Sequence, residues 1–283
     1  MTSFSEEPGL IDPEDISSFL TGDVLYGDDF DPEEIANWFA DEQEGYAGLG
    51  ARDVDNYKYS YHQLNITHAF RFLDGRAFES ALGIGSAYGD EFLPIVGNIE
   101  RLTILEASDA LSIKHEVGGV PCLYEKPTES GDIPFAEKSF DLISALGVFH
   151  HIPNVSHVIG ECARVLSDRG VFILREPVVS MGDWRYPRSG LTKRERGIPI
   201  KLLRKILSDN GLKIQHEALC AFPPLSRLCK GLGIDPYNSK VCTSIDALLS
   251  KMFRWNLRYH ASSSWQKIRP TAAFFVLVKD DDT

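Results

Sequence analysis

Apolar residues follow two alternating patterns along most of this chain. From residue 78 onward, short apolar runs of strand length alternate with stretches in which apolar residues recur at helical spacing. In one such stretch, Val158, Ile159, Cys162 and Val165 lie on one face. The alternation predicts a mostly parallel sheet with helices on both of its faces. Strands are predicted at 79–84, 102–106, 120–124, 140–146, 171–176, 213–220 and 271–278, with helices such as 154–166 and 198–209 among them.

The segment before residue 78 has a different pattern. Asp31 and Pro32 are typical of a helix start, and carboxylates follow in the first turn. A second helix is predicted over 61–73, so 31–77 reads as a helical extension that covers the main domain. Residues 1–30 mix acidic residues with Gly, Pro and Ser and lack periodicity, so we expect a flexible or loosely docked segment.

Charge is spread unevenly over the 283 residues, whose net charge is −12. Residues 1–55 carry −15 and the remainder carries +3. Phosphate contacts need Lys and Arg, so the acidic segment disfavours binding to nucleic acid. No apolar run approaches the roughly 18 residues of a membrane span, and the acidic N-terminus does not resemble a signal peptide. Five scattered cysteines without a Cys-x-x-Cys pair indicate a reducing, cytoplasmic setting and no metal site.

The clearest chemical signal is a loop of small residues, Gly83–Gly89, that directly follows a predicted strand. Such a turn lets backbone N–H groups approach a ligand. Downstream, Glu106 ends the next predicted strand, where a carboxylate can accept hydrogen bonds from ribose hydroxyls. The pair predicts a site for an adenosine-type cofactor. A nicotinamide-dependent oxidoreductase shares these two features, and a non-catalytic cofactor-binding module is a further alternative.

Further motifs follow in a fixed order. Ile133-Pro134-Phe135 precedes Ser139-Phe140-Asp141, and Leu146 begins a segment that ends in His150-His151-Ile152-Pro153. With the glycine loop, these motifs resemble the class I S-adenosylmethionine-dependent methyltransferases that act on small molecules, with a type 11-like methyltransferase domain. The resemblance covers about residues 78–220. It implies a Rossmann-like, seven-stranded α/β sheet whose last strand is antiparallel, within a methyltransferase domain at 78–283 that has insertions at 177–197 and 222–270.

The resemblance also implies a set of cofactor contacts. The loop would line the amino-acid part of S-adenosylmethionine, Glu106 would hold the ribose, and Glu129 and Ser130 would lie near the adenine. Two positions depart from the family pattern. Gly83 stands where the family has Asp or Glu, and Ala87 replaces a loop glycine. Asp90 or Glu91 is a candidate for the missing charge. The implied cofactor residues are Gly83, Gly85, Ser86, Ala87, Gly89, Glu106, Glu129, Ser130, Leu146 and Gly147.

The acceptor is predicted to be a small molecule, sugar-containing or phosphorylated, with O-methylation favoured. His150, His151 and Glu176 are candidates for acceptor deprotonation, because they follow neighbouring strands at the same rim of the sheet. A helix over 243–256, with Ile245, Leu248, Leu249, Met252 and Phe253 facing inward, would wall the acceptor pocket or form a homodimer contact. The candidate acceptor-binding residues are Tyr59, Tyr61, His62, Trp184, Arg185 and Arg188.

Overall fold

The computed structural model describes residues 16–49, 57–73, 75–184, 188, 190–192 and 194–280. Its centre is an eight-stranded sheet in the order β3-β4-β2-β1-β5-β6-β8-β7. The last strand, β8, is antiparallel to both of its neighbours, as expected. The strands are β1 (Phe78–Ile84), β2 (Ile99–Leu105), β3 (Glu116–Val117), β4 (Val120–Glu125), β5 (Phe140–Leu146), β6 (Leu166–Pro177), β7 (Leu212–Cys220) and β8 (Ala272–Lys279).

The predicted Rossmann-like class is confirmed, but the sheet has eight strands where seven were expected. The additional strand is β3, which pairs antiparallel with β4 over two residues. Gly118 and Gly119, both with positive φ, make the tight turn between them. A two-residue strand is too short to leave a periodic signal in the sequence.

Parallel pairing aligns the chemistry at one edge of the sheet. Ile84, at the end of β1, lies opposite Leu105 of β2 and Ala145 of β5. Leu146 lies opposite Arg175 of β6. The carboxyl ends of four strands therefore meet where α/β proteins bind their ligands.

The helices lie close to their predicted positions, with two differences. The predicted 61–73 helix is α-helical only to His68 and continues as a 3₁₀ turn. After the glycine loop, residues Asp90–Asn98 form a 3₁₀ helix that contains Pro94, a residue that cannot donate an α-helical hydrogen bond. The α-helices are α1 (Ile16–Thr21), α2 (Pro32–Leu49), α3 (His62–His68), α4 (Val155–Val165), α5 (Ile200–Asp209), α6 (Pro223–Gly231) and α7 (Lys240–Met252).

The described part of the N-terminal segment is docked, which differs from the loose packing expected for residues 1–30. Ile16 and Tyr26 are buried in an aromatic cluster with Trp38 and Trp184. Tyr26 stacks on Trp184 at 5.7 Å between ring centroids. The sequence pattern missed this docking because the partner rings come from distant parts of the chain.

Helix α7 faces the opposite way from the prediction. Leu248 and Met252 are each 58% exposed, whereas Asp246 is buried. The Asp246 carboxylate accepts hydrogen bonds from the backbone N–H groups of Ala221 and Phe222, which fixes the polar face inward. A homodimer contact on this helix stays a prediction. None of the described helices is long and apolar enough to cross a membrane.

Candidate functional site

Two cavities meet at the carboxyl edge of the sheet. The larger has a volume of about 650 Å³ and the smaller about 420 Å³. Gly85, Ala87 and Gly147 line both of them, so the glycine loop and the end of β5 form the junction. We call the larger one the nucleoside cavity and the smaller one the acceptor cavity. Both volumes lie within the range of about 300–1,000 Å³ that is typical of small-molecule sites.

The glycine loop is held in left-handed backbone conformations. Gly85 has φ +57°, and its N–H donates to the Leu105 carbonyl at 2.8 Å. A Cβ on Gly85 would lie 2.8 Å from the Val148 side chain, so only glycine fits. Ala87 has φ +47°, a conformation that costs an L-residue roughly 1–2 kcal/mol. Ala87, where the family has a loop glycine, therefore stores backbone strain in the wall of both cavities.

Glu106 is buried at the end of β2 and lines the nucleoside cavity. Its carboxylate accepts hydrogen bonds from the N–H groups of Ala87 and Ser108, each at 3.1 Å. Burial raises the pKa of this carboxyl group, and the backbone hydrogen bonds oppose that rise only in part. A carboxylate offers about four lone-pair positions, so capacity remains for ligand hydroxyls.

The far wall of the nucleoside cavity contains the predicted adenine region. Glu129 lines the cavity, as do Asp132 and Ile133, which were not among the predicted cofactor contacts. Ser130 does not line it. The Ser130 hydroxyl donates to Asp132 at 2.7 Å, and its carbonyl accepts from Asn154. Ser130 thus shapes the turn.

Helix α2 covers the nucleoside cavity, to which it contributes Trp38 and Glu42. The Trp38 indole N–H donates to the His151 carbonyl at 2.7 Å, and Glu42 Oε2 lies 2.8 Å from His151 Nδ1. Glu42 Oε1 is buried without a hydrogen-bond partner among the described residues. An adenosine group fits these acceptors, because its hydroxyl and amine groups can donate hydrogen bonds to the oxygen atoms that Glu106 and Glu42 leave available.

Gly83 and Gly89 do not line either cavity. A Cβ on Gly83 would lie 2.4 Å from Ser86 Oγ, so the position where the family has an acid is already filled. Instead, Glu91 lines the acceptor cavity as a buried residue. Its Oε1 accepts from the hydroxyls of Ser86 at 3.0 Å and Ser144 at 2.7 Å. Burial raises the pKa of Glu91, although these hydrogen bonds and Arg175 act in the opposite direction.

His150 lies in the acceptor cavity between two carboxylates. Its Nδ1 is 2.8 Å from Glu176 Oε2 and its Nε2 is 3.4 Å from Glu195 Oε1. Burial disfavours the charged imidazole, but the hydrogen bonds and charges of the two carboxylates outweigh burial and raise the pKa of His150 to about 9. Glu176 is fully buried and also accepts from the N–H groups of Val148 and Phe149. Glu176 thus positions both the backbone turn after β5 and the imidazole ring of His150.

The structure separates the two histidines. His151 lines the nucleoside cavity, whereas His150 lines the acceptor cavity. Burial and the neighbouring charge of His150 lower the pKa of His151 despite its contact with Glu42. Only His150 and Glu176, of the three predicted catalytic residues, lie in the acceptor cavity.

The predicted acceptor-binding residues divide in the same way. Tyr59 and Tyr61 line the acceptor cavity, whereas His62 lies behind Tyr59 and does not. Trp184 is buried in the aromatic cluster, with its indole N–H donating to the Ser180 carbonyl. Arg185 lies outside the described residues.

The Arg188 side chain is held by backbone groups of its own loop. Its guanidinium donates to the backbone carbonyls of Glu195 at 2.5 Å and Thr192 at 3.1 Å. The neighbouring Arg194 pairs with Asp41 of α2, so charges of this loop hold the N-terminal extension. Arg188 and Trp184 therefore bind other parts of the protein, and neither lines the acceptor cavity.

Arg175 is a cavity residue that the sequence reasoning missed. It lies on β6, 9% exposed, and lines the acceptor cavity. The sequence feature that could have revealed Arg175 is its position: a charged residue that directly follows the apolar run Val171–Leu174 of a central strand. Such a residue must be satisfied inside the protein or by a ligand.

Comparison with known proteins agrees with this geometry. Residues 82–174 match the family model of a methyltransferase domain. No curated protein sequence matches the chain. The fold is similar to the YcgJ protein of Bacillus subtilis, at 17% identity and a TM-score of 0.50, over 78% of this chain and 99% of that one.

A second similar structure is the methyltransferase in a complex with the Haloferax volcanii activator Trm112. It is 15% identical with a TM-score of 0.52, over 87% of this chain and 98% of that one. At such identities the likeness establishes the fold alone. The family match spans the glycine loop, Glu106 and the histidine segment, and it does not favour an oxidoreductase. Residues 82–174 therefore form a methyltransferase domain, and this match supports an S-adenosylmethionine-dependent methyltransferase of class I.

Proposed function

We propose that this enzyme transfers the methyl group of S-adenosylmethionine to an oxygen atom of a small molecule bound in the acceptor cavity. The observation that carries the proposal is the junction of the two cavities at Gly85, Ala87 and Gly147. A nucleoside on one side of this junction would present its reactive end to a ligand on the other. His150 lines the acceptor side, close to Gly147.

The chain's own residues would orient the cofactor from two directions. Glu106 would accept hydrogen bonds from the ribose hydroxyls. Glu91 would pair with the ammonium group, in place of the acid that Gly83 replaces. The cofactor supplies an activated methyl group on a sulfonium, so alignment of the two reactants contributes much of the rate.

His150 would remove the proton of the acceptor hydroxyl through Nε2, where the hydroxyl would replace the Glu195 carboxylate that lies 3.4 Å away. Glu176 would hold Nδ1 and fix the ring. With a pKa of about 9, His150 is mostly protonated at neutral pH. The neutral, proton-accepting form therefore increases toward alkaline pH. Proton transfer of this kind contributes about 10²–10⁴-fold to rate. His151, on the nucleoside side, would hold α2 through Glu42.

Methyl transfer from radiolabelled S-adenosylmethionine to a panel of sugars, nucleotide sugars and phenols tests the proposal. We expect His150→Gln to lower kcat by about 10²-fold or more with cofactor affinity unchanged. The rise of kcat/KM toward pH 9 should disappear in this variant. His115→Gln, which changes an exposed histidine outside both cavities, is the matched control. A panel without any methylated product, or a His150→Gln variant with full activity, would contradict the proposal.

A further inference from the structure

The acceptor cavity contains a buried positive charge without a carboxylate partner. The Arg175 guanidinium donates to Asn65 Oδ1 at 3.3 Å and to the Leu146 carbonyl at 3.0 Å. It lies 4.3 Å from the centre of the Tyr61 ring. None of the ion pairs within the described ranges of the chain includes Arg175. Its hydrogen-bond partners are therefore neutral groups, and the Glu91 carboxylate of the same cavity acts on it electrostatically without forming an ion pair.

A charge in such a place is costly. Arginine stays protonated in proteins, so Arg175 cannot become neutral to escape the cost of burial. Other arginines of this chain are compensated. Arg164 and Arg204 pair with carboxylates. The fully buried Arg196 donates to backbone carbonyls and lines neither cavity. Arg175 combines burial, the lack of a counter-ion and a position on a cavity wall.

A second donor lies beside it. Asn65 is buried and donates through Nδ2 to the Tyr59 hydroxyl at 2.9 Å. Since that hydroxyl accepts from Asn65, its own proton is available to another acceptor. Tyr59 lines the same cavity as Arg175. Asn65 thus holds the Tyr59 hydroxyl and the Arg175 guanidinium side by side, and their other N–H and O–H groups can donate to a single ligand.

Three further tyrosines line the cavity. Tyr61 and Tyr237 stack at 5.3 Å between ring centroids, and Tyr57 also lines the cavity. Flat rings favour a flat ligand, whereas Arg175 and Tyr59 favour a group that accepts several hydrogen bonds.

We propose that Arg175 and Tyr59 form an anion subsite that binds a carboxylate or phosphate group of a small, flat acceptor. This inference rests on the proposed function, because it names the acceptor class of the same cavity. A carboxylate could also come from the methionine part of the cofactor. We assign the subsite to the acceptor because the Arg175 guanidinium and the ring of the proposed base His150 both border Gly147 and line the same cavity.

The first arm of the test measures anion binding to the full-length protein saturated with S-adenosylhomocysteine. Benzoate and neutral benzamide serve as matched probes in calorimetry and thermal-shift assays. We expect benzoate to bind and benzamide not to bind. Arg175→Met should weaken benzoate binding by about tenfold or more, since it removes a charge-assisted hydrogen-bond pair. Arg204→Met, at a more exposed arginine paired with Glu217, should leave it unchanged. Equal binding of the two probes to the unmodified protein would overturn the inference.

The second arm separates the two sources of a carboxylate. S-Adenosylhomocysteine carries the amino-acid part, and 5′-methylthioadenosine lacks it. We expect Arg175→Met to bind both nucleosides with unchanged affinity. Loss of affinity for S-adenosylhomocysteine alone would assign Arg175 to the cofactor and overturn the inference, while the proposed function would stand. Failure of the unmodified protein to bind either nucleoside would instead refute the proposed function.

A variant that removes less of the wall guards against misfolding. Tyr59→Phe deletes only the hydroxyl group. It should retain 5′-methylthioadenosine binding and bind benzoate several-fold more weakly. If Arg175→Met no longer binds the nucleoside, Tyr59→Phe decides the question, and unchanged benzoate affinity in that variant overturns the inference.

Discussion

Replacement of Glu106 by alanine should remove most of the affinity for nucleosides with an intact ribose. The buried carboxylate already accepts from Ala87 and Ser108, and its remaining lone pairs would face the two ribose hydroxyls. Each hydrogen bond to a charged group contributes about 1.5–3 kcal/mol. Two such bonds amount to about 3–6 kcal/mol, which corresponds to a rise in Kd of about 10²–10⁴-fold.

Calorimetry with adenosine and 2′,3′-dideoxyadenosine isolates this contribution. Glu106→Ala should weaken the binding of adenosine and leave the weaker binding of the dideoxy compound nearly unchanged. Glu125→Ala, at an exposed carboxylate that ends the neighbouring strand β4, is the control. Equal losses for both nucleosides would show that the substitution disturbs the loop rather than the ribose contact. Unchanged adenosine affinity would refute the assignment of Glu106.

Four further outcomes follow from the same geometry. Glu91→Gln should bind S-adenosylhomocysteine about tenfold more weakly without affecting 5′-methylthioadenosine, whereas Asp90→Asn should affect neither. Burial raises the pKa of Glu91, so ionisation of this group above its unfolded-state pKa lowers the free energy of unfolding of the ligand-free protein. Glu91→Gln should therefore raise Tm at pH 7, and an unchanged Tm would contradict this reasoning. The pKa of His150 is raised to about 9, so this group should contribute about 3 kcal/mol to the free energy of unfolding. That contribution should be complete below about pH 6.5 and lost as pH rises through 9. Urea melts of His150→Gln should not show this loss. Ala87→Gly should stabilise the protein by about 1 kcal/mol in the same melts, because glycine adopts positive φ without strain.

The nucleoside side of the site could be predicted from the sequence because its parts are local. A strand, a loop of small residues and the acid that ends the next strand are short patterns, and parallel pairing places them at one edge. Gly85 and Ala87 of the loop, with Glu106 and Glu129, accordingly line the nucleoside cavity, whereas Gly83 and Gly89 line neither cavity. The substitution at Gly83 was visible in the sequence, but the compensation by Glu91 that we propose depends on which face of the next helix is buried.

The acceptor side was decided in part by the tertiary structure, although Tyr59, Tyr61, His150 and Glu176 were predicted from the sequence and line the acceptor cavity. The sequence favoured Arg188, in a basic loop, and the structure gives that side chain backbone carbonyls as partners. Arg175, within an apolar strand, reaches the cavity because Asn65, distant along the chain, packs beside it. Helix α7 likewise turned its apolar stripe outward, since the Asp246 carboxylate was needed by buried N–H groups. Periodicity records how apolar each position is, but a buried polar group goes where its hydrogen-bond partners are, and those partners are set by the folded chain.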